Sequence, residues 1–180
     1  MKRSDIRIRK AQACDAEKLI HVHFNAVHGI SEDVYSRALL SSWSPTPCPS
    51  RYEWMRDLIK SSSNLVLVAG SAFEACAFSI CSLNDGFIRA LYVDPKFTGR
   101  SMGKHLLVYS ETRLMQAGFS VFKLNASNNA LDFYRSMGYC VNAQTRQSLE
   151  DGAELNCHEM QKIAASLFNY SPRPNTFGGG

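Results

Sequence analysis

The chain lacks any apolar run approaching the roughly 18–20 residues of a membrane span, and charged residues follow Met1 where a secretory leader would place its apolar core. These absences lead us to expect a cytoplasmic protein with no membrane partner. No Cys-x-x-Cys pair occurs. The six cysteines, Cys14, Cys48, Cys76, Cys81, Cys140 and Cys157, form no Cys and His grouping with the spacing of a zinc site, so they read as reduced, mostly buried thiols. Long runs of one charge sign are missing too. The net charge is +4, and its densest stretch, Lys2, Arg3, Arg7, Arg9 and Lys10, is mixed with Asp5 and apolar residues. That pattern reads as an edge strand with solvated charges, since a nucleic-acid arm needs a longer run with interleaved aromatics. No nucleic-acid partner is expected, and no internal repeat is visible.

What is present fits an ordinary globular chain. Of 180 residues, 45% are hydrophobic and 20% charged, enough for one sizeable core over residues 1–165, while the Pro- and Gly-rich stretch 166–180 reads as a flexible tail. Ile6 and Ile8 alternate with Arg7 and Arg9, which predicts a half-buried strand, and Asp15 opens a helical pattern through Leu19, Val22 and Val27. Gly29 ends that helix, and Ser31 is expected to cap a second one running through Tyr35, Leu39 and Leu40. The segment 43–50 holds Pro45, Pro47 and Pro49 and reads as a loop. An amphipathic helix over 51–59 then leads into apolar strands at 65–69, 72–83 and 87–93, an antiparallel meander with Asn84-Asp85-Gly86 as its second turn.

After Pro95 comes Thr98-Gly99-Arg100-Ser101-Met102-Gly103, running directly into a helix that carries Leu106, Leu107 and Leu114 and stops at Gly118. A short strand at 121–124, a helix capped by Ser127 or Asn128 and closed by Gly138, and two further strands near 139–146 and 153–160 complete the expected order. A glycine-punctuated loop between strand and helix offers unpaired N–H groups and the positive end of a helix dipole, which suits a pyrophosphate. The spacing Gly99-x-x-x-Gly103 is neither the GxGxxG of dinucleotide sites nor a loop ending in Gly-Lys-Ser/Thr, and an antiparallel meander precedes it rather than a βαβ unit.

Phe87-Ile-Arg-Ala-Leu-Tyr-Val-Asp-Pro95 followed by Thr98-Gly-Arg-Ser-Met-Gly-Lys-His-Leu-Leu107 resembles the acetyl-CoA motif of the GNAT superfamily of N-acetyltransferases, R/Q-x-x-G-x-G/A after a strand ending in Val-x-Pro. The stretch Asn125 to Tyr139, with Phe133-Tyr134 and Gly138-Tyr139, resembles the second family motif, A-x-x-F-Y-x-x-x-G-F/Y, in the right order and spacing. The Trp43-Ser-Pro loop and the form of the second motif are similar to bacterial small-molecule-type members. Lys96 and Ser101 depart from the usual Arg or Gln and Gly or Ala. The resemblance implies an α/β (α+β) fold whose central mixed, mostly antiparallel, twisted sheet of about six to seven strands carries helices on both faces.

It also implies an acetyl-CoA-dependent N-acetyltransferase. Leu91, Tyr92 and Val93 would lie on a strand that splays from its later neighbour and offers its main chain to pantetheine. Gly99, Arg100, Ser101, Met102, Gly103 and Lys104 would bind pyrophosphate, Ser127 and Asn128 would lie near the pantetheine or adenosine, and Tyr134 would stand by the thioester sulfur as the catalytic acid. No metal is called for.

Acyl transfer to an amine also needs a proton acceptor, because a free alkylamine has a pKa near ~10. Asp85, Glu74, His23, His28 or a water chain could serve. Tyr35, Trp43, Trp54 and Arg89 are implied at the acceptor side, although both Trp residues, like Phe133, also suit core packing. The expected acceptor is a small-molecule amine, with a protein amine or a non-catalytic acetyl-CoA-binding module as alternatives and a homodimer left open. The absence of an acidic cluster counts against polycationic drug acceptors.

Overall fold

The computed structural model describes residues 7–71 and 74–164. Strands β1 (Arg7–Lys10), β2 (Asn64–Gly70), β3 (Ala75–Ser82) and β4 (Ile88–Val93) form one antiparallel sheet in that spatial order. Strands β5 (Val121–Ser127), β6 (Cys140–Ser148) and β7 (Glu154–Ile163) form a second in the order β5-β7-β6, also antiparallel. The mixed character lies at the junction, where Phe87 and Lys123 make a parallel bridge. Of the basic start, Arg7, Arg9 and Lys10 lie on β1, which among the described residues pairs with β2 alone; Ile6, residues 72–73 of the expected strand 72–83 and the expected tail 166–180 lie outside the described residues.

Helices cover both faces of the first sheet. On one side α1 (Ala16–His28) and α3 (Pro49–Lys60) set Leu19, Ile20, Met55 and Ile59 against Val66, Val68, Phe78 and Ile80. On the other, α4 (Met102–Gln116) sets Leu106, Leu107 and Leu114 against Leu65, Leu67, Ala77 and Cys81. This explains why β2 reads as a continuous apolar run rather than an alternating one: both of its faces are buried. Each of the three fully buried α4 leucines contributes about 1.5–3 kcal/mol of transfer free energy.

The second helix, α2 (Arg37–Trp43), is capped not at the expected Ser31 but at Ser36, whose Oγ accepts from the Leu39 N–H at 3.3 Å. Ser31 does open a turn, but Tyr35 is drawn out of helical register into the core, where its hydroxyl donates to the Asn156 carbonyl at 2.9 Å. Tertiary contact overrides the local pattern. The proline-rich loop is shorter than expected, because Trp43 still belongs to α2 and Pro49 occupies the first position of α3, where its missing N–H costs nothing. Strand β5 runs to Ser127, and a 3-10 turn over Asn128–Ala130 precedes α5 (Leu131–Ser136).

Candidate active site

Strands β4 and β5 run side by side, touch at the Phe87–Lys123 bridge, and are not laddered beyond it. Antiparallel pairing alternates between hydrogen-bonded and non-bonded pairs, and the Asp94 N–H donates to the Cys76 carbonyl at 2.9 Å. By that alternation Tyr92 and Ala90 also bond β3, so the main-chain groups of Leu91 and Val93 turn the other way, into the gap beside β5. The side chains divide as well: Leu91 and Val93 join the α4 face, while Ala90 and Tyr92 join the α1 face.

The start of α4 lies against this gap. A Cβ placed on Gly103 would meet Phe133, Val93 and Leu91 at 3.5–3.7 Å, which locates the first turn over the end of β4 and beside α5. The first ladder bond of the helix runs from the His105 N–H to the Ser101 carbonyl at 3.0 Å, leaving the N–H groups of Met102, Gly103 and Lys104 without helical partners. No side chain caps them, and no acidic residue stands in the first turn. Gly99 and Ser101 both adopt left-handed backbone, with φ of 73° and 59°. Buried Met102 pins the loop to the core, and Arg100 lies over the ring of buried Phe97 at 5.5 Å. Upstream, Asp94 accepts from the Lys96 N–H at 3.0 Å and from Asn25 Nδ2 at 2.7 Å, tying the loop to α1.

Tyr134 is buried beneath the gap, with Phe133 and Tyr139 edge-on to its ring at 5.1 and 5.6 Å. Its hydroxyl makes no hydrogen bond among the described residues, yet no polar side-chain atom there is both sealed and unpartnered, so the phenol keeps a path out of the core. Burial, with Tyr92 and Cys81 nearby, pushes its pKa up and keeps it protonated.

A profile described as an acetyltransferase (GNAT) domain matches residues 33–163. The chain belongs to the GNAT acetyltransferase family. It is accordingly an acyltransferase, and its cofactor is acetyl-CoA. It is 26% identical to a spermidine N(1)-acetyltransferase of Thermoplasma acidophilum over 144 residues, 76% of this chain and 89% of that protein. A GCN5-related N-acetyltransferase structure from Rhodopseudomonas palustris superposes with a TM-score of 0.79 at 23% identity, covering 91% of this chain and 98% of that one. The PaiA N-acetyltransferase of Thermoplasma acidophilum, in complex with coenzyme A, gives 0.70 at 23% identity, covering 88% and 99%.

The GNAT cofactor fits the residues present: unpaired N–H groups at the start of α4 suit a pyrophosphate, and the outward main chain of Leu91 and Val93 suits an amide-bearing arm. Of the residues expected at the cofactor, Gly103, Leu91 and Val93 come together at the end of β4, with Tyr134 next to the Phe133 that Gly103 faces, and Gly99, Arg100, Ser101, Met102 and Lys104 form the loop and first turn leading into that place. Tyr92 is not part of that wall, since its main chain is committed to β3 and its side chain faces α1. Ser127 ends β5, paired with Cys157, and the Asn128 N–H is taken by the Tyr35 hydroxyl at 2.7 Å.

On the α1 face Tyr92 organises a second group. Trp43 Nε1 donates to its hydroxyl at 3.1 Å, the His23 ring stands edge-on at 4.5 Å, and burial pushes the phenol up to about 12. Tyr35 packs edge-on against Trp43 at 5.9 Å. Thus Tyr35 and Trp43 sit together where the acceptor side was expected, whereas Trp54 is exposed and Arg89 is paired with Asp85 at 3.6 Å on the surface, at the opposite end of β4 from Leu91 and Val93. Asp85 shares that remote place. Glu74 is exposed in the connection before β3, and His28 is exposed with Nε2 2.9 Å from the Ser44 carbonyl.

His23 is the half-buried base candidate beside Tyr92. Arg51 Nη2 lies 3.1 Å from its Nδ1, and Ser44 Oγ lies 3.1 Å from the same nitrogen. A guanidinium only donates, so Nδ1 carries the lone pair and the proton belongs on Nε2. Burial, with the Arg51 charge second, lowers the pKa to about 3. A lone pair so occupied and so weakly basic is poorly suited to deprotonating an ammonium. Ser44 and Arg51 were invisible as site residues in the sequence, because they flank the proline-rich loop and only folding carries them to α1.

Proposed function

We propose that the protein passes the acetyl group of acetyl-CoA directly to a primary amine of a small molecule within a ternary complex. The observation that carries this reading is the two-sided gap. The α4 amides and Tyr134 approach the end of β4 from one face, and His23, Trp43 and Tyr92 border it from the other. Acceptor and cofactor therefore reach one point without crossing. The relative that acts on spermidine supports a small amine as acceptor.

Bound acetyl-CoA supplies the activated acyl group. The Leu91 N–H, turned into the gap, is a fixed donor for the oxygen on which charge builds during acyl transfer. Tyr134 holds a proton at its phenol oxygen, available to the departing sulfur. Cys81, whose thiol acts on Tyr134, is pushed up to about 11 by burial and stays protonated, which favours direct transfer over an acyl-cysteine route. With His23 protonated only at low pH and Asp94 engaged by Asn25 and Lys96, the amine proton leaves through water.

Tyr134→Phe keeps the ring and removes the acid. Turnover, read by free thiol release across an amine panel, should drop roughly 100-fold while acetyl-CoA affinity holds. Unchanged turnover removes Tyr134 from the reaction.

A further inference from the structure

Beside the acceptor face stands a cation without a counter-ion. Arg51, at the start of α3, is partly buried; it donates to the Pro45 carbonyl and to His23 Nδ1, and among the described residues it makes no ion pair within 4 Å. Glu150 acts on it only from beyond that reach. Asp151, its neighbour in the β6–β7 turn, is occupied by Ser42 and the Ala153 N–H. Two of the five guanidinium N–H groups are used in those bonds, and the rest remain available. By holding Nδ1 as an acceptor, Arg51 also forces the His23 proton onto Nε2, which has no partner among the described residues. His23 in turn adjoins Tyr92, their ring centroids 4.5 Å apart.

Resting on the proposed reaction, we infer that Arg51 receives a carboxylate of the acceptor beside His23, so that the preferred substrate is an amino acid or amino-acid-like amine rather than a polyamine. A polyamine would bring a second ammonium toward a guanidinium that has no carboxylate within 4 Å among the described residues. An amine bearing a carboxylate would instead complete the ion pair that the fold leaves open, and a planar fork matches a carboxylate in two places.

The test compares amino acids with amines that lack only the carboxylate, and both with spermidine, by the rate of free thiol release. Carboxylated members should show kcat/KM at least about 10-fold higher, and Arg51→Lys should raise KM for them by a similar factor and for the carboxylate-free amines by much less. Spermidine or the carboxylate-free amines matching the amino acids would overturn the inference, as would an equal loss for both classes in Arg51→Lys. The wild-type comparison needs no variant, so a poorly folding mutant does not spoil it. If acetyl-CoA binds but no amine is acetylated, the same compounds are titrated against the imidazole nitrogen signals of His23. Shifts with the amino acids alone support the carboxylate site, and no shift with them overturns it. Failure of acetyl-CoA to bind counts instead against the proposed reaction, while the His23 titration still reads the carboxylate site separately.

Discussion

Ser101 holds a backbone conformation that β-carbon-bearing residues avoid, at φ 59°, and it is the residue just before α4. Its position is one where the family pattern favours Gly or Ala, and the left-handed φ supplies a physical reason for Gly. Ser101→Gly should therefore stabilise the fold by about 1 kcal/mol, a rise of roughly 2–4 °C in Tm. A lower Tm would show that the hydroxyl matters more than the strain. His23 gives a second expectation at this scale. Its pKa falls from an ordinary 6.5 to about 3 on folding, so the unfolded chain gains a proton first as pH drops. The contribution is intact above about pH 6.5 and is lost progressively between there and pH 3, amounting to about 1 kcal/mol by pH 5 once partial exposure is allowed for. Urea unfolding at pH 7 and pH 5 should show this loss in the wild type and a flatter response in His23→Asn. Residues named by a motif, such as Gly99, Gly103 and Tyr134, could be read from the sequence, because the motif specifies backbone chemistry locally. Arg51, Ser44 and the side chain of Tyr92 could not, since nothing local to them signals that α1, α2 and α3 converge.

Among the elements, α4 is held at two places. Its start meets the β4–β5 gap, and near its middle buried Glu111 accepts from Tyr139 at 2.9 Å and from Lys162 at 2.8 and 3.0 Å. That network joins α4 to β7 and to the Tyr139 ring packed on Tyr134. Glu111→Gln leaves Lys162 without its counter-charge in a largely enclosed place and should cost about 2 kcal/mol, or roughly 4–8 °C in Tm by calorimetry. A change under 1 °C would mean that the pair contributes little. The elements most legible in the sequence were those with strong periodicity and clear punctuation, the meander of β2 to β4 and α4 with its closing glycine at position 118. Where a long-range contact competed with local pattern, as when Tyr35 left the expected helix to bond Asn156, the boundary was misplaced. The length of β5 was underestimated because its later residues, Asn125 to Ser127, look like turn and cap chemistry and become strand only through pairing with β7.

For the whole molecule, the decisive feature is that two antiparallel sheets meet at one parallel bridge and then part. That parting leaves main-chain groups of β4 that an ordinary sheet would pair without a partner strand beyond the bridge. The central claim is that this opening and the α4 amides hold acetyl-CoA. Calorimetric titration with acetyl-CoA, alongside NAD and ATP, tests it most directly. The account predicts micromolar binding of acetyl-CoA and none of the other two; no binding of acetyl-CoA, or equal binding of all three, would contradict it.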